Sequence, residues 1–129
     1  AHELVQDLHG STGSALHGIM HRLEGDYDNA KYWFRRAGDH PAWQVLQSRA
    51  SAWLRDAEAA GEWPKNSPAE QALRSIPAQG AWNPYLFTDL VAMAAAGRGD
   101  EAGIGILERL QHQELTAFLR FLESRLTIE

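Results

Sequence analysis

The sequence of 129 residues contains no cysteine, which excludes disulfide bonds, thiolate catalysis and cysteine-based zinc sites. It also lacks a long hydrophobic run of the roughly 20 residues that a membrane-spanning helix needs, so no membrane partner is expected. A surplus of basic residues is missing as well, because the formal net charge is −5. This charge argues against nucleic acid as a partner, since binding to its phosphates depends on Lys and Arg. Without cysteine or a signal-peptide pattern, we expect a cytoplasmic protein.

Alternation of apolar and polar residues with a period of two is absent too, so no β-strand is predicted. Glycine and proline instead divide the chain into about six segments whose apolar residues recur at helical spacing. The hydrophobic content of 44% and the charged content of 22% are those of an ordinary globular protein. We therefore predict a single all-α domain over residues 1–129, built from antiparallel helical hairpins, with residues 1–10 as a loosely ordered lead-in.

Local signals predict where the helices begin and end. The predicted starts share a capping side chain or an early proline, and they are Ser11 or Ser14, Asp26 or Asp28, Pro41, Ser67-Pro68, Asn83-Pro84 and Asp100. The predicted stops are glycines, at Gly25, Gly38, Gly61 and Gly97. Gly25, Gly61 and Gly97 are spaced 36 residues apart. This regular spacing suggests three helical hairpins that stack in series.

Residues 14–41 resemble one tetratricopeptide repeat. The match consists of a glycine–tyrosine turn, the small and aromatic residues of the second helix, and a small residue of the first helix: Gly25, Tyr27, Ala30, Phe34, Ala37 and Gly18. The resemblance implies a helical hairpin with Phe34 in its seam, within an α-solenoid-like array that binds a protein or peptide. His17 and His21 depart from the family pattern, which has a leucine and an aromatic residue there.

Four residues of the same stretch are left unexplained by hairpin packing, namely Tyr32, Trp33, Arg35 and Arg36. Residues four apart share a helix face, and Arg, Tyr and Trp are the residue types enriched at binding hot spots. These four residues therefore form a candidate ligand-binding or partner-binding patch. The alternative is packing together with ordinary ion pairs, in which the two arginines contact Glu24, Asp26 or Asp39.

His17, His21 and Glu24 follow one another at spacings of four and three residues, so they share one face of the first predicted helix. Imidazole and carboxylate groups are ligands for zinc and other divalent metals. The stretch lacks the His-Glu-x-x-His arrangement of zinc proteases, so it has no built-in general base. A divalent metal site is one interpretation, and structural histidines with hydrogen-bond partners from the next turn are the other.

The sequence shows no catalytic motif and no cofactor-binding motif. We therefore expect a binding protein rather than an enzyme. The favoured function is a helical module that binds a protein or peptide partner. One form of this function is self-association as a homodimer through the apolar C-terminal helix. The alternative function is small-ligand or metal binding at a site around residues His17, His21, Glu24, Asp26 and Arg35/Arg36.

Overall fold

The computed structural model describes residues 10–62, 68–98 and 101–128, which form helices and turns and contain no β-strand. Within these described residues lie six α-helices: α1 (Ser11–Leu23), α2 (Tyr27–Ala37), α3 (Pro41–Ala59), α4 (Pro68–Ser75), α5 (Pro84–Met93) and α6 (Glu101–Ile128). A 3₁₀ turn (Ile76–Ala78) follows α4, and a wide π-type turn (Ala94–Arg98) follows α5. The all-α prediction is confirmed. Residues 1–9 of the predicted lead-in and the predicted caps Ser67 and Asp100 lie outside the described residues. No described helix has both the length and the apolar character needed to cross a membrane.

The turn between α1 and α2 forms where the sequence predicts it. Gly25 adopts a φ of 82°, a left-handed conformation that side chains with a Cβ rarely adopt. Asp26 then caps α2, because its carboxylate accepts a hydrogen bond from the Asn29 amide at 3.4 Å. The chain thereby reverses direction in a few residues, and α1 and α2 pack along each other.

The seam between α1 and α2 is filled by the residues that the tetratricopeptide resemblance singles out. Ala30, Phe34 and Ala37 are buried. A Cβ atom placed on Gly18 would lie 2.5 Å from Cε1 of Phe34, which is closer than carbon atoms can approach. The missing side chain at Gly18 therefore makes room for the Phe34 ring.

The start of α1 differs from the prediction. The N-cap residue is Gly10, and neither Ser11 nor Ser14 caps the helix. The Ser11 hydroxyl instead donates a hydrogen bond of 2.6 Å to the carbonyl oxygen of Ala37, while Ser14 is buried. Carbonyl groups in the last turn of a helix have no partner within the helix. Ser11 therefore ties the first residue of α1 to the last residue of α2.

The helices pack with partners that are distant in the sequence. α6 packs against α3 and α1, and α5 packs against α2. The shared core includes Ile19, Phe34, Leu46, Leu54, Leu73, Phe87, Leu90, Leu110 and Phe118. In a linear stack, each hairpin contacts only its neighbours. Because α6 returns to α1, the serial array stays unconfirmed as a description of the whole chain.

A buried ion pair joins the first helix to the last. Arg22 of α1 donates two hydrogen bonds to the carboxylate of Glu114 in α6, and both side chains are fully buried. The indole N–H of Trp82 donates to the same carboxylate at 3.1 Å. The Arg22 guanidinium also lies 4.8 Å from the Phe87 ring centre and 5.6 Å from that of Phe34. Glu114 therefore accepts hydrogen bonds from both a cation and an indole in the core.

Candidate functional site

One face of the α1–α2 hairpin carries His17, Tyr32, Trp33 and Arg36, which we call the Trp33 patch. The Trp33 ring stacks on the His17 imidazole with centroids 4.5 Å apart, and it meets the Tyr32 ring edge-on at 5.4 Å. Arg36 donates a hydrogen bond of 3.1 Å to the Tyr32 hydroxyl. The guanidinium carbon of Arg36 also lies 5.3 Å from the Trp33 ring centre. These contacts hold the four side chains in one arrangement.

The Trp33 patch is open to solvent. Tyr32 keeps 44% of its surface exposed, His17 and Arg36 are exposed, and Trp33 is half-buried. A guanidinium group has five N–H donors, and the contact with Tyr32 uses one of them. Large aromatic side chains usually lie inside a protein or at an interface. Tyr32, Trp33 and Arg36 thus combine aromatic and cationic groups that solvent can reach.

Arg35 lies apart from the other three residues predicted for this site. It is exposed, and no contact among the described residues joins it to the Trp33 patch. The alternative interpretation of the two arginines also lacks its ion pairs. Within the described part of the chain, neither Arg35 nor Arg36 reaches Glu24, Asp26 or Asp39 at salt-bridge distance.

The predicted metal ligands are only partly brought together. His21 Nδ1 lies 3.8 Å from a carboxylate oxygen of Glu24 and 3.9 Å from one of Asp26. The ring of His17 is stacked on Trp33 instead, with its centroid 6.4 Å from that of His21. Among the side chains that the structure describes, no three histidine or carboxylate groups form a cluster suited to a metal ion. The divalent metal site stays a prediction from the sequence.

A second candidate site is a recess of about 660 Å³ between the α2–α3 loop and the start of α5. We call it the Asp39 cleft, and its chemical character comes from Phe34, Asp39, Trp43, Gln44, Trp82 and Tyr85. Small-ligand pockets typically measure about 300–1,000 Å³ and combine apolar walls with a few polar groups. The Asp39 cleft has both the size and the composition of such a pocket.

Two helix N-termini border the Asp39 cleft, but capping side chains occupy their amide groups. At the start of α3, His40 Nδ1 accepts a hydrogen bond of 3.0 Å from the Ala42 amide. At the start of α5, the Asn83 side chain accepts hydrogen bonds of 3.1 and 3.0 Å from the amides of Tyr85 and Leu86. Helix starts bind anions through free N–H groups. Because the caps use these donors, the cleft is poorly equipped for an anion.

The polar side chains of the Asp39 cleft point to a different ligand chemistry. Asp39 carries the only ionised group among the described residues that line the recess. Within the described part of the chain, no hydrogen bond or ion pair engages the carboxylate of Asp39, the amide of Gln44 or the hydroxyl of Tyr85. The cleft therefore offers unengaged acceptors, one of them negatively charged, next to aromatic rings.

The sequence does not reveal the Asp39 cleft, because its walls come from the segments 34–44 and 81–85. A weak signal is present in both segments. The stretch from His40 to Trp43 and the stretch from Trp82 to Tyr85 each combine a capping residue, a proline and an aromatic residue. Nothing in either stretch indicates that the two lie side by side. That neighbourhood depends on the packing of α5 against α2.

Comparisons with protein-family models, with curated proteins and with solved structures give no match to this chain.

Proposed function

We propose that the protein is a helical interaction module that binds a protein or peptide partner through the Trp33 patch. One observation carries the proposal: Tyr32, Trp33 and Arg36 reach solvent, yet contacts with one another and with His17 hold them in place. Trp, Tyr and Arg are the residue types that dominate binding hot spots. The resemblance of residues 14–41 to a tetratricopeptide repeat supports the same class of function.

The ordering of the Trp33 patch favours binding energetically. Fixing a flexible side chain at an interface commonly costs about 0.5–1.5 kcal/mol. The Arg36 side chain has reduced conformational freedom before a partner binds, because it donates a hydrogen bond to the Tyr32 hydroxyl and lies over the Trp33 ring. A partner that contacts this surface therefore meets side chains that need little further ordering.

The charges around the Trp33 patch favour a partner that presents an acidic group beside an apolar one. Arg35 and Arg36 are both exposed near the C-terminal end of α2. Free guanidinium donors bind carboxylates in a two-pronged geometry. The rings of Tyr32 and Trp33 supply adjacent apolar surface. An acidic segment that contains an aromatic or aliphatic residue fits both features.

A second copy of the chain is the other partner that we propose to test. Met20 and Leu23 of α1 and Leu119 of α6 are large apolar side chains with 56%, 62% and 49% of their surface exposed. Exposed apolar side chains are typical of contact surfaces when they lie together. Light scattering on the purified protein measures its mass directly and separates a homodimer from a monomer that binds another protein.

The small-ligand or metal-binding alternative receives less support around the α1–α2 turn. The His17 ring is stacked on Trp33, and no contact among the described residues joins the exposed Arg35 to His21. Of the predicted residues, His21 lies near Glu24 and Asp26, while the His17 ring faces Trp33. On the hairpin surface, Tyr32, Trp33 and Arg36 of α2 instead contact one another.

Peptide selection tests the interaction proposal. We expect a random peptide library, selected on the wild-type protein, to yield peptides that combine acidic and apolar residues. Truncation of a hot-spot side chain costs about 2 kcal/mol or more, so Trp33→Ala and Arg36→Ala should each weaken binding by about thirtyfold or more. Arg55→Ala removes an exposed arginine from α3 and should leave the affinity unchanged. Peptides that bind Trp33→Ala as tightly as the wild type would contradict the proposal, and so would a selection that enriches none.

A further inference from the structure

We propose that the Asp39 cleft binds an organic cation, an alkylammonium or guanidinium group that lies beside the Asp39 carboxylate and against the surrounding aromatic rings. This site is separate from the Trp33 patch, so each proposal can fail without the other. Three features carry the inference: the charge of the cleft, the orientation of its tryptophans and the occupancy of its backbone donors.

The charge of the cleft selects for a positive ligand. Asp39 is exposed, and its carboxylate has no ion-pair partner among the described residues. His40, which also lines the cleft, accepts the Ala42 amide hydrogen at Nδ1. A cation that enters the cleft therefore meets one negative charge and no described positive charge.

The two tryptophans of the cleft are fixed by hydrogen bonds at their N–H groups. Trp43 Nε1 donates to the Gly38 carbonyl oxygen at 2.9 Å, and Trp82 Nε1 donates to the buried Glu114 at 3.1 Å. Both indole donors are thus unavailable to an anion or to a hydrogen-bond acceptor on a ligand. The rings therefore meet a ligand only through their exposed surface, 7% of Trp43 and 4% of Trp82, and aromatic surface attracts cations.

The aromatic walls continue into the core. Phe34 meets Trp43 edge-on with ring centroids 6.1 Å apart, and Trp82 packs on Phe87 at 5.1 Å. A preformed arrangement of aromatic rings with one carboxylate is suited to quaternary and primary ammonium groups, which bind by cation–π attraction and charge pairing.

The test is an NMR titration of the full chain, with isotope-labelled tryptophan and with choline chloride as the probe. We expect saturable shifts of the Trp43 and Trp82 indole signals, assigned with Trp43→Phe and Trp82→Phe. Trp33 and Trp53 serve as internal controls, because neither is among the residues that line the cleft. Sodium chloride at matched concentration corrects for ionic strength. The neutral isostere, with carbon in place of the quaternary nitrogen, should give no saturable shift.

Charge-removing variants complete the test. Asp39→Asn should weaken choline binding about twofold to fivefold, since one exposed charge partner is lost. Asp56→Asn removes an exposed carboxylate of α3 outside the cleft and should have no effect. Added salt should weaken binding to the wild-type protein, which provides a measurement that needs no variant.

A second pair of probes distinguishes free amines from lysine side chains as the source of the cation. These probes are Nα-acetyl-lysine amide and its neutral norleucine counterpart. Binding of either cation without its neutral counterpart supports the proposal, and the tighter cation indicates whether free amines or lysine side chains are the ligand. Equal binding of both cations and their neutral counterparts would overturn the proposal. An unchanged affinity in Asp39→Asn, or no saturable shift of the Trp43 and Trp82 signals with either cation, would do the same.

Discussion

Gly18 and Phe34 show how one residue sets the distance between two helices. The backbone of α1 at Gly18 comes so close to the Phe34 ring that any side chain would overlap with it. Phe34 is fully buried, so its ring cannot swing into solvent. The hairpin that supports the Trp33 patch therefore depends on the absence of a single methyl group.

Gly18→Ala should destabilise the protein by about 1–3 kcal/mol, the usual cost of overpacking a core. Gly105→Ala is the matched control, because a Cβ at this position in α6 meets no atom within 4 Å. That control should be neutral or stabilising by up to about 1 kcal/mol, since alanine favours a helix over glycine. Urea unfolding monitored by circular dichroism measures both. Equal stabilities of the two variants would show that α1 and α2 are farther apart than described.

At the scale of the element, His40 shows how one residue connects three helices. It caps α3 through the Ala42 amide, and its Nε2 lies 2.7 Å from the Thr12 hydroxyl of α1. Its ring also contacts Phe118 and Phe121 of α6 at centroid distances of 4.9 and 4.6 Å. The start of α3 is therefore fixed by both neighbouring helices as well as by its own cap.

His40→Ala should cost clearly more stability than Asn83→Ala. Loss of an exposed cap such as Asn83 costs about 1 kcal/mol. His40→Ala removes a cap and also leaves the buried Thr12 hydroxyl without this partner, which adds about 1–3 kcal/mol. Denaturant titration of both variants provides the comparison. A smaller loss in His40→Ala than in Asn83→Ala would argue against the contacts described for His40.

The ends of the elements could be predicted where their causes are local. Gly25, Asp26 and Asn83 act on residues within a few positions of themselves, so the sequence identifies Gly25 and Asn83 and gives Asp26 as one of two candidate starts. Ser11 could not be predicted, because its hydrogen-bond partner is the carbonyl of Ala37, 26 positions away. A serine near a helix start looks like a cap unless the packing of the next helix is known.

At the scale of the whole molecule, the Arg22–Glu114 pair connects residues 92 positions apart. Two buried charges are costly to remove from water, and the cost is offset only while both partners are present. Glu114 also accepts the Trp82 indole hydrogen, and Trp82 lines the Asp39 cleft. The ion pair therefore connects the contact between α1 and α6 to Trp82 in the wall of the Asp39 cleft.

Arg22→Met should destabilise the protein by about 3–5 kcal/mol, because it leaves a buried carboxylate without its cation. The double variant Arg22→Met/Glu114→Gln should be less destabilised than Arg22→Met alone. Glutamine is neutral and still offers an oxygen to the Trp82 indole. A double-mutant cycle by urea unfolding measures this coupling. Additive losses would contradict a direct buried contact between the two side chains.

The two candidate sites differ in how far the sequence predicts them. Tyr32, Trp33 and Arg36 lie within one helical turn, so their proximity follows from helix geometry alone. The contact of Trp33 with His17 requires the hairpin, and the resemblance of residues 14–41 supplies that. The Asp39 cleft depends on the packing of α5 against α2, which no local pattern determines.

The central claim is that the α1–α2 hairpin presents a binding face. Its most direct test is a photoreactive benzoylphenylalanine in place of Asp28, one helical turn before Tyr32, in lysate of the cells that produce the protein. The claim predicts a discrete crosslinked product. Excess wild-type protein should suppress this product, and excess Trp33→Ala protein should not. A probe that replaces Gln71 of α4 should give no such product. A crosslink that both competitors suppress equally, or no crosslink at position 28, would contradict it.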